Sequence, residues 1–149
     1  MGNAECPCRC ADLADRSDPV IGECIRAQQR RRIDSMVVSA TPQQHVKQLW
    51  REALPLTEES RLEAQVWLAV QVAIKTTRVA EVLDSIDAEL DHLCEWTATV
   101  LAPASAPAVT GAEIRAFTDG LTMNAVLRPR TFSFDQVAVL FDSYLARLQ

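Results

Sequence analysis

From Arg78 to Leu101 the chain places Val79, Leu83, Ile86, Leu90, Leu93, Thr97 and Val100 three or four residues apart. Side chains at that spacing share one face of an α-helix, so the segment predicts a long helix with a single buried stripe. The preceding segment, Glu58 to Thr77, is patterned differently. Val66, Trp67, Leu68, Ala69, Val70, Val72, Ala73 and Ile74 leave Gln71 as the one polar position in the run. A helix apolar nearly all round has to be enclosed by other helices, which predicts the central helix of a bundle. Sustained alternation of apolar and polar residues, the mark of a half-buried strand, occurs nowhere.

Proline placement agrees with the helical reading. Pro7, Pro19, Pro42, Pro55, Pro103, Pro107 and Pro129 divide the chain into pieces of helical length, and proline is disfavoured inside a helix because it lacks the N–H and clashes with the preceding turn. The pieces begin with capping chemistry. Asp18-Pro19 and Thr41-Pro42 each put an N-cap residue before a proline at the first helical position. Thr41 with Gln44, Thr110 with Glu113 and Ser133 with Gln136 have capping-box spacing. Thr57 precedes Glu58 and Glu59, whose charges suit the positive end of a helix dipole. The segment from Ala102 to Val109, with two prolines among small residues, is expected to be a mobile loop. The predicted architecture is all-α, a bundle of five or six helices over residues 19–149, preceded by a disordered lead-in over residues 1–18.

The last two predicted helices carry more apolar surface than one core requires. Between Ala112 and Arg128, Ile114, Phe117, Leu121 and Ala125 form one stripe, and Ala116, Gly120, Met123 and Leu127 form a second. Between Phe134 and Leu148, the stripe is Val137, Phe141, Tyr144 and Leu148, with Leu140 and Leu145 beside it. A small bundle has few spare internal surfaces, so a second subunit is the natural partner for the extra faces. Gly120 supports this, because a glycine in mid-helix costs roughly 1 kcal/mol relative to alanine and is usually kept for close approach of another helix. A homodimer is expected, with Ala116, Gly120, Met123, Leu127, Phe141, Tyr144, Leu145 and Leu148 at its interface. Complete burial of these helices within one chain is the alternative.

Composition narrows the chemistry. The chain has 149 residues, 48% of them apolar and 23% charged, with a net charge of -5. That is one domain with a real core and without the basic field of a free-standing nucleic-acid binder. With four glycines and two histidines, the phosphate-binding and nucleotide-binding glycine loops, the hydrolase nucleophile elbow and the HExxH zinc motif cannot be built. No secretory signal and no apolar run of bilayer-spanning length is visible, which predicts a cytoplasmic protein with no membrane partner. Cys6, Cys8 and Cys10 are too closely spaced for a structural zinc site, so no metal and no cofactor is expected. Arg26, Arg30, Arg31 and Arg32 form the one basic cluster, read chiefly as a solvated helix face, with phosphate contact as the alternative. His92 falls beside the main stripe of its helix and is expected at the surface. Asp84, Asp87, Glu89, Asp91 and Glu95 are expected on that helix's solvated side, and no carboxylate pair, Cys–His or Ser–His spacing argues for an enzyme.

From Leu54 onward the sequence resembles a known family. The run Leu54-Pro55-Leu56-Thr57-Glu58-Glu59, followed by Arg61, Glu63, Ala64 and Val66-Trp67-Leu68-Ala69, is similar to the C-terminal regulatory domain of TetR-family transcriptional repressors of the BetI-like type. The likeness continues through Asp119-Gly120-Leu121 and Ala125-Val126-Leu127-Arg128-Pro129 to a closing helix from Ala138 to Leu148. It extends over roughly Val20 to Gln149. The resemblance implies a homodimer joined through its last two helices and a pocket for a small effector, apolar or cationic. Trp67, Val70, Gln71, Ile74, Leu93, Phe117, Thr118 and Leu121 are the candidate pocket residues. It also implies that DNA is read by an N-terminal helix-turn-helix domain, for which no matching segment is found in this chain. The expected function is therefore the ligand-sensing and dimerisation part of a TetR-like regulator, truncated of its DNA-reading head. A free-standing helical interaction module that pairs with a full-length regulator is the alternative.

Overall fold

The computed structural model describes residues 20–36, 41–72, 77–101 and 109–148. They form six helices: α1 (Val20–Asp34), α2 (Pro42–Ala53), α3 (Glu58–Val72), α4 (Thr77–Leu101), α5 (Gly111–Leu127) and α6 (Phe134–Arg147). No strand occurs among the described residues. The expected lead-in over residues 1–18, Ile74 and most of the segment from Ala102 to Val109 lie outside them.

The helix starts follow the capping chemistry. Thr110 accepts from the Glu113 amide at 3.2 Å, and the Glu113 carboxylate accepts from the Thr110 amide at 2.8 Å, a complete capping box. The Thr41 and Ser133 hydroxyls each accept from the amide three residues on. At α3 the reciprocal partner of Thr57 is Ser60, whose hydroxyl accepts from the Thr57 amide at 3.0 Å.

The long helix α4 packs chiefly along α5; α2 also rests on α4, and α6 on α5. Their inner faces make one core of Val46, Trp50 and Leu54, Cys94, Ala98 and Leu101, Ile114, Leu121 and Ala125, and Val137, Phe141, Leu145 and Leu148. Trp50 is the largest of these side chains. Its ring lies 5.7 Å from that of Phe141, and its indole Nε1–H donates to the buried Thr97 hydroxyl at 2.8 Å. Thr97 donates in turn to the carbonyl of Leu93 at 2.7 Å, so no polar atom of this pair is stranded.

Two expectations are corrected here. The first is that α3 is the enclosed central helix. Only Glu63 on α3 is fully buried, Leu62 is exposed, and Val72 is 87% exposed. The helix sits at the margin, packed mainly against α5, so its extra apolar side chains meet no surrounding layer. The second concerns the interface set. Phe141, Leu145 and Leu148 are sealed in the chain's own core. Tyr144 is half-buried, and its ring stacks on Phe117 with centroids 3.9 Å apart. The α6 stripe therefore faces inward. On α5 the two stripes separate cleanly: Ile114, Leu121 and Ala125 point in, while Ala116, Met123 and Leu127 point out.

Burial also settles the character of Cys94. It is 1% exposed, and desolvation pushes its thiol up to about 11. The folded state therefore favours the neutral thiol. That contribution is complete below the thiol's unfolded value of roughly 8.5 and disappears as pH rises through about 11. On the order of 3 kcal/mol of stability should be lost over that interval in the native chain. A Cys94→Ala variant should show a correspondingly shallower alkaline decline in chemical denaturation, and the native thiol should resist alkylation at neutral pH.

Candidate functional site

α3 presents Ser60, Glu63, Ala64 and Trp67, two turns of one helix face, to a cleft of about 320 Å³. Gln29 and Ile33 of α1, together with Leu49, Glu52 and Ala53 of α2, form one side. Ile86, Glu89, Leu90 and Leu93 of α4, with Asp119 and Thr122 of α5, form the other. A wider groove of about 530 Å³, lined by Arg26, Gln29, Arg30, Ile33, Asp34 and Glu89, adjoins it. The two share Gln29, Ile33 and Glu89. The inner cleft holds the apolar walls that a small-molecule site needs, with a few fixed polar groups among them.

Of the candidate pocket residues, Trp67 and Leu93 line this cleft, and the rest of the set divides. Val70 and Gln71 are half-buried on α3 beyond Trp67 and outside the cleft lining. Leu121 and Thr118 are buried in α5, the Thr118 hydroxyl donating to the Ile114 carbonyl at 3.0 Å. Phe117 is stacked on Tyr144. The physical reason is helical phase. Asp119 and Thr122 are the α5 residues turned to the cleft, so Phe117 and Leu121 point elsewhere.

Charge in the cleft was not anticipated. Four carboxylates line it, from Glu52, Glu63, Glu89 and Asp119, and each meets an arginine. Arg26 pairs with Glu89, with Arg30 more distant from the same carboxylate at 3.4 Å. Arg115 holds Asp119 at 2.8 Å, Asp91 at 2.9 Å and Asp87 at 2.7 Å, clamping α5 to α4. Burial works against the charge on Arg115, but its bonds to Asp87 and Asp119 outweigh that and hold its pKa above the ordinary guanidinium value. Arg32 donates to both oxygens of Glu63, from Nη1 at 3.0 Å and Nη2 at 2.8 Å, and its Nε lies 3.1 Å from Glu52. The hydrogen bond to Glu63 raises the Arg32 pKa despite an opposing desolvation.

These pairs revise the reading of two surface features. Arg26, Arg30 and Arg32 face carboxylates of their own chain, so most of the basic run is engaged in docking α1. Asp87, Glu89 and Asp91 are ion-pair partners as well as part of the outer side of α4. His92 is exposed, as the spacing predicts. No group of three or more metal-ligating side chains is found among the described residues.

The described residues form an all-helical domain with a side cleft between its helices, and the sequence comparison gives it a family. Residues 42–149 match the model of the BetI-type transcriptional repressor C-terminal domain, and the chain belongs to that family. No curated protein and no solved structure gives a significant match. The protein accordingly contains the regulatory domain of a transcriptional regulator. No helix among the described residues is long and apolar enough to cross a membrane.

Proposed function

We propose that the domain senses a small molecule in the cleft between α1–α3 on one side and α4–α5 on the other, and that it acts as a homodimer. The observation that carries the first part is the cleft itself. In a regulatory domain, an opening walled by Trp67, Ile86, Leu90 and Leu93 and carrying four carboxylates, each fixed by an arginine, is suited to an apolar or cationic effector. A ligand that fills it should change the fluorescence of the protein and raise its Tm, because ligands that bind only the folded state stabilise it by mass action. A library of apolar and cationic small molecules tests this, with Trp67→Phe as the control that must lose the optical response. If no compound moves either signal, an interaction module without an effector becomes the better reading.

The dimer reading rests on the outward face of α5. Met123 is 48% exposed and Leu127 68% exposed, and Val139 of α6 is 58% exposed. Among the described residues, a Cβ built on Gly120 meets nothing beyond its own stretch of helix within 4 Å. The glycine thus serves no close approach inside the monomer, and a helix of a second copy accounts for it better. Leu127→Glu removes no core contact, so it should leave the monomer folded and shift the light-scattering mass from dimer to monomer. An unchanged mass for this variant, or a monomeric native chain at high micromolar concentration, would overturn the proposal.

A further inference from the structure

The most buried charged group in the cleft is Glu63, 2% exposed, and it is held by a guanidinium in a two-pronged pairing with one N–H for each oxygen. Both oxygens of a buried carboxylate need donors, and a planar fork supplies them in parallel, which a spherical cation does not. The same guanidinium also serves Glu52 at 3.1 Å and lies 3.9 Å from Glu59. Three carboxylates therefore share Arg32, and the cluster has room for a second positive charge.

Arg32 also has somewhere to go. Its side chain is 27% exposed, and Glu59, with 59% of its side chain exposed, stands on the solvent side of the cluster. A guanidinium released from Glu63 can move to Glu59 without losing an ionic partner. On the other side of Glu63 lies Trp67, one helical turn along the same face of α3, with Leu90 and Leu93 across the cleft. An incoming cation with an aromatic body gains apolar burial there that Arg32, reaching in from α1, does not have.

We propose that the cleft accepts an aromatic amidinium or guanidinium ligand, whose planar head replaces Arg32 on Glu63 and whose ring lies beside Trp67. This rests on the sensing reading above and specifies its ligand class. The preference is for the fork and not for charge alone. A quaternary ammonium brings a positive charge but no N–H, and it would leave the Glu63 oxygens without donors in a buried setting.

Three probes of similar size separate these terms: benzamidinium, with charge and fork; phenyltrimethylammonium, with charge only; and benzamide, neutral and of the same shape. Calorimetric titration of the full chain, with Tm and fluorescence read in parallel, should show benzamidinium binding roughly tenfold or more tightly than either of the others. Arg32→Lys keeps a cation among the three carboxylates, so it preserves the fold while removing the competing fork, and benzamidinium should bind it more tightly than the native chain. Glu63→Gln should abolish the preference. Equal binding of the three probes, a preference that survives Glu63→Gln, or no benzamidinium binding to either the native chain or Arg32→Lys would overturn the proposal. If benzamide binds as well as benzamidinium and both responses vanish in Trp67→Phe, the forked-cation site is refuted while the sensing cleft stands.

Discussion

Replacing Trp50 with alanine is expected to cost about 3–5 kcal/mol, the usual range for removing a buried large aromatic side chain. The indole is 1% exposed and lies where α2 meets α4 and α6, against Phe141 and under Thr97. For a domain of this size the loss corresponds to about 10–15 °C in Tm. Trp50→Phe is expected to cost much less, about 1–2 kcal/mol. It retains most of the volume, and Thr97 still donates to the Leu93 carbonyl when the indole N–H is gone. Thermal and urea denaturation of the two variants side by side measure the difference. Near-equal effects would mean that the hydrogen bond, and not the filling of the core, is what Trp50 supplies.

The second large effect is expected at Arg32. Truncating one partner of a fully buried ion pair costs about 3–5 kcal/mol, because the other charge is left without compensation. Arg32 is 27% exposed while Glu63 is buried, so Arg32→Ala is expected to cost roughly 2–3 kcal/mol once solvent screening is allowed for. Glu63→Ala should cost less, since Arg32 keeps Glu52 and Glu59. The diagnostic measurement is the combination. Adding Glu63→Gln to Arg32→Ala removes the stranded charge and should recover part of the lost stability. Strict additivity of the two substitutions would show that the pair is not energetically coupled.

Local pattern made most of the fold legible. The boxes at Thr110 and Ser133 and the Thr57 cap place the starts of α5, α6 and α3, and the stripe from Leu83 to Val100 defines α4. The two α5 stripes were separable by spacing alone, and their inward and outward senses follow that separation. Partnership between helices was less legible. The run Val66–Ile74 is apolar enough for an enclosed helix, but its phase carries no information on how many neighbours surround it. The same limit moved Phe141, Leu145 and Leu148 from an interface into the core. Val46, Trp50 and Leu54 recur every four residues through α2 and its C-cap, a signal that marks an inner face and was there to be used.

The cleft shows the same division. Trp67 and Leu93, singled out from the helical pattern and the resemblance, line the cleft. The charged lining was not, because Arg32 and Glu63 are 31 residues apart and Arg26 and Glu89 are 63 apart. Nothing in the local pattern of either segment marks its partner. Taken singly, each of these residues has the look of an ordinary solvated helix position.

The length of α4 has a mechanical consequence. Its 25 residues extend about 37 Å, and its two halves have different surroundings. The last turns, through Cys94, Thr97, Ala98 and Leu101, are sealed in the core. The stretch that reaches the cleft carries the half-buried Ile86, Leu90 and Leu93 and the exposed Glu89. Local opening is easiest where few apolar side chains are sealed. The helix is thus sealed along its last turns and less so along the cleft, where the buried Leu83 and the grip of Arg115 on Asp87 and Asp91 hold it. Pressure applied in the cleft should load the Arg115 pairs to Asp87 and Asp91 first, while the last turns of α4 keep their register against α5.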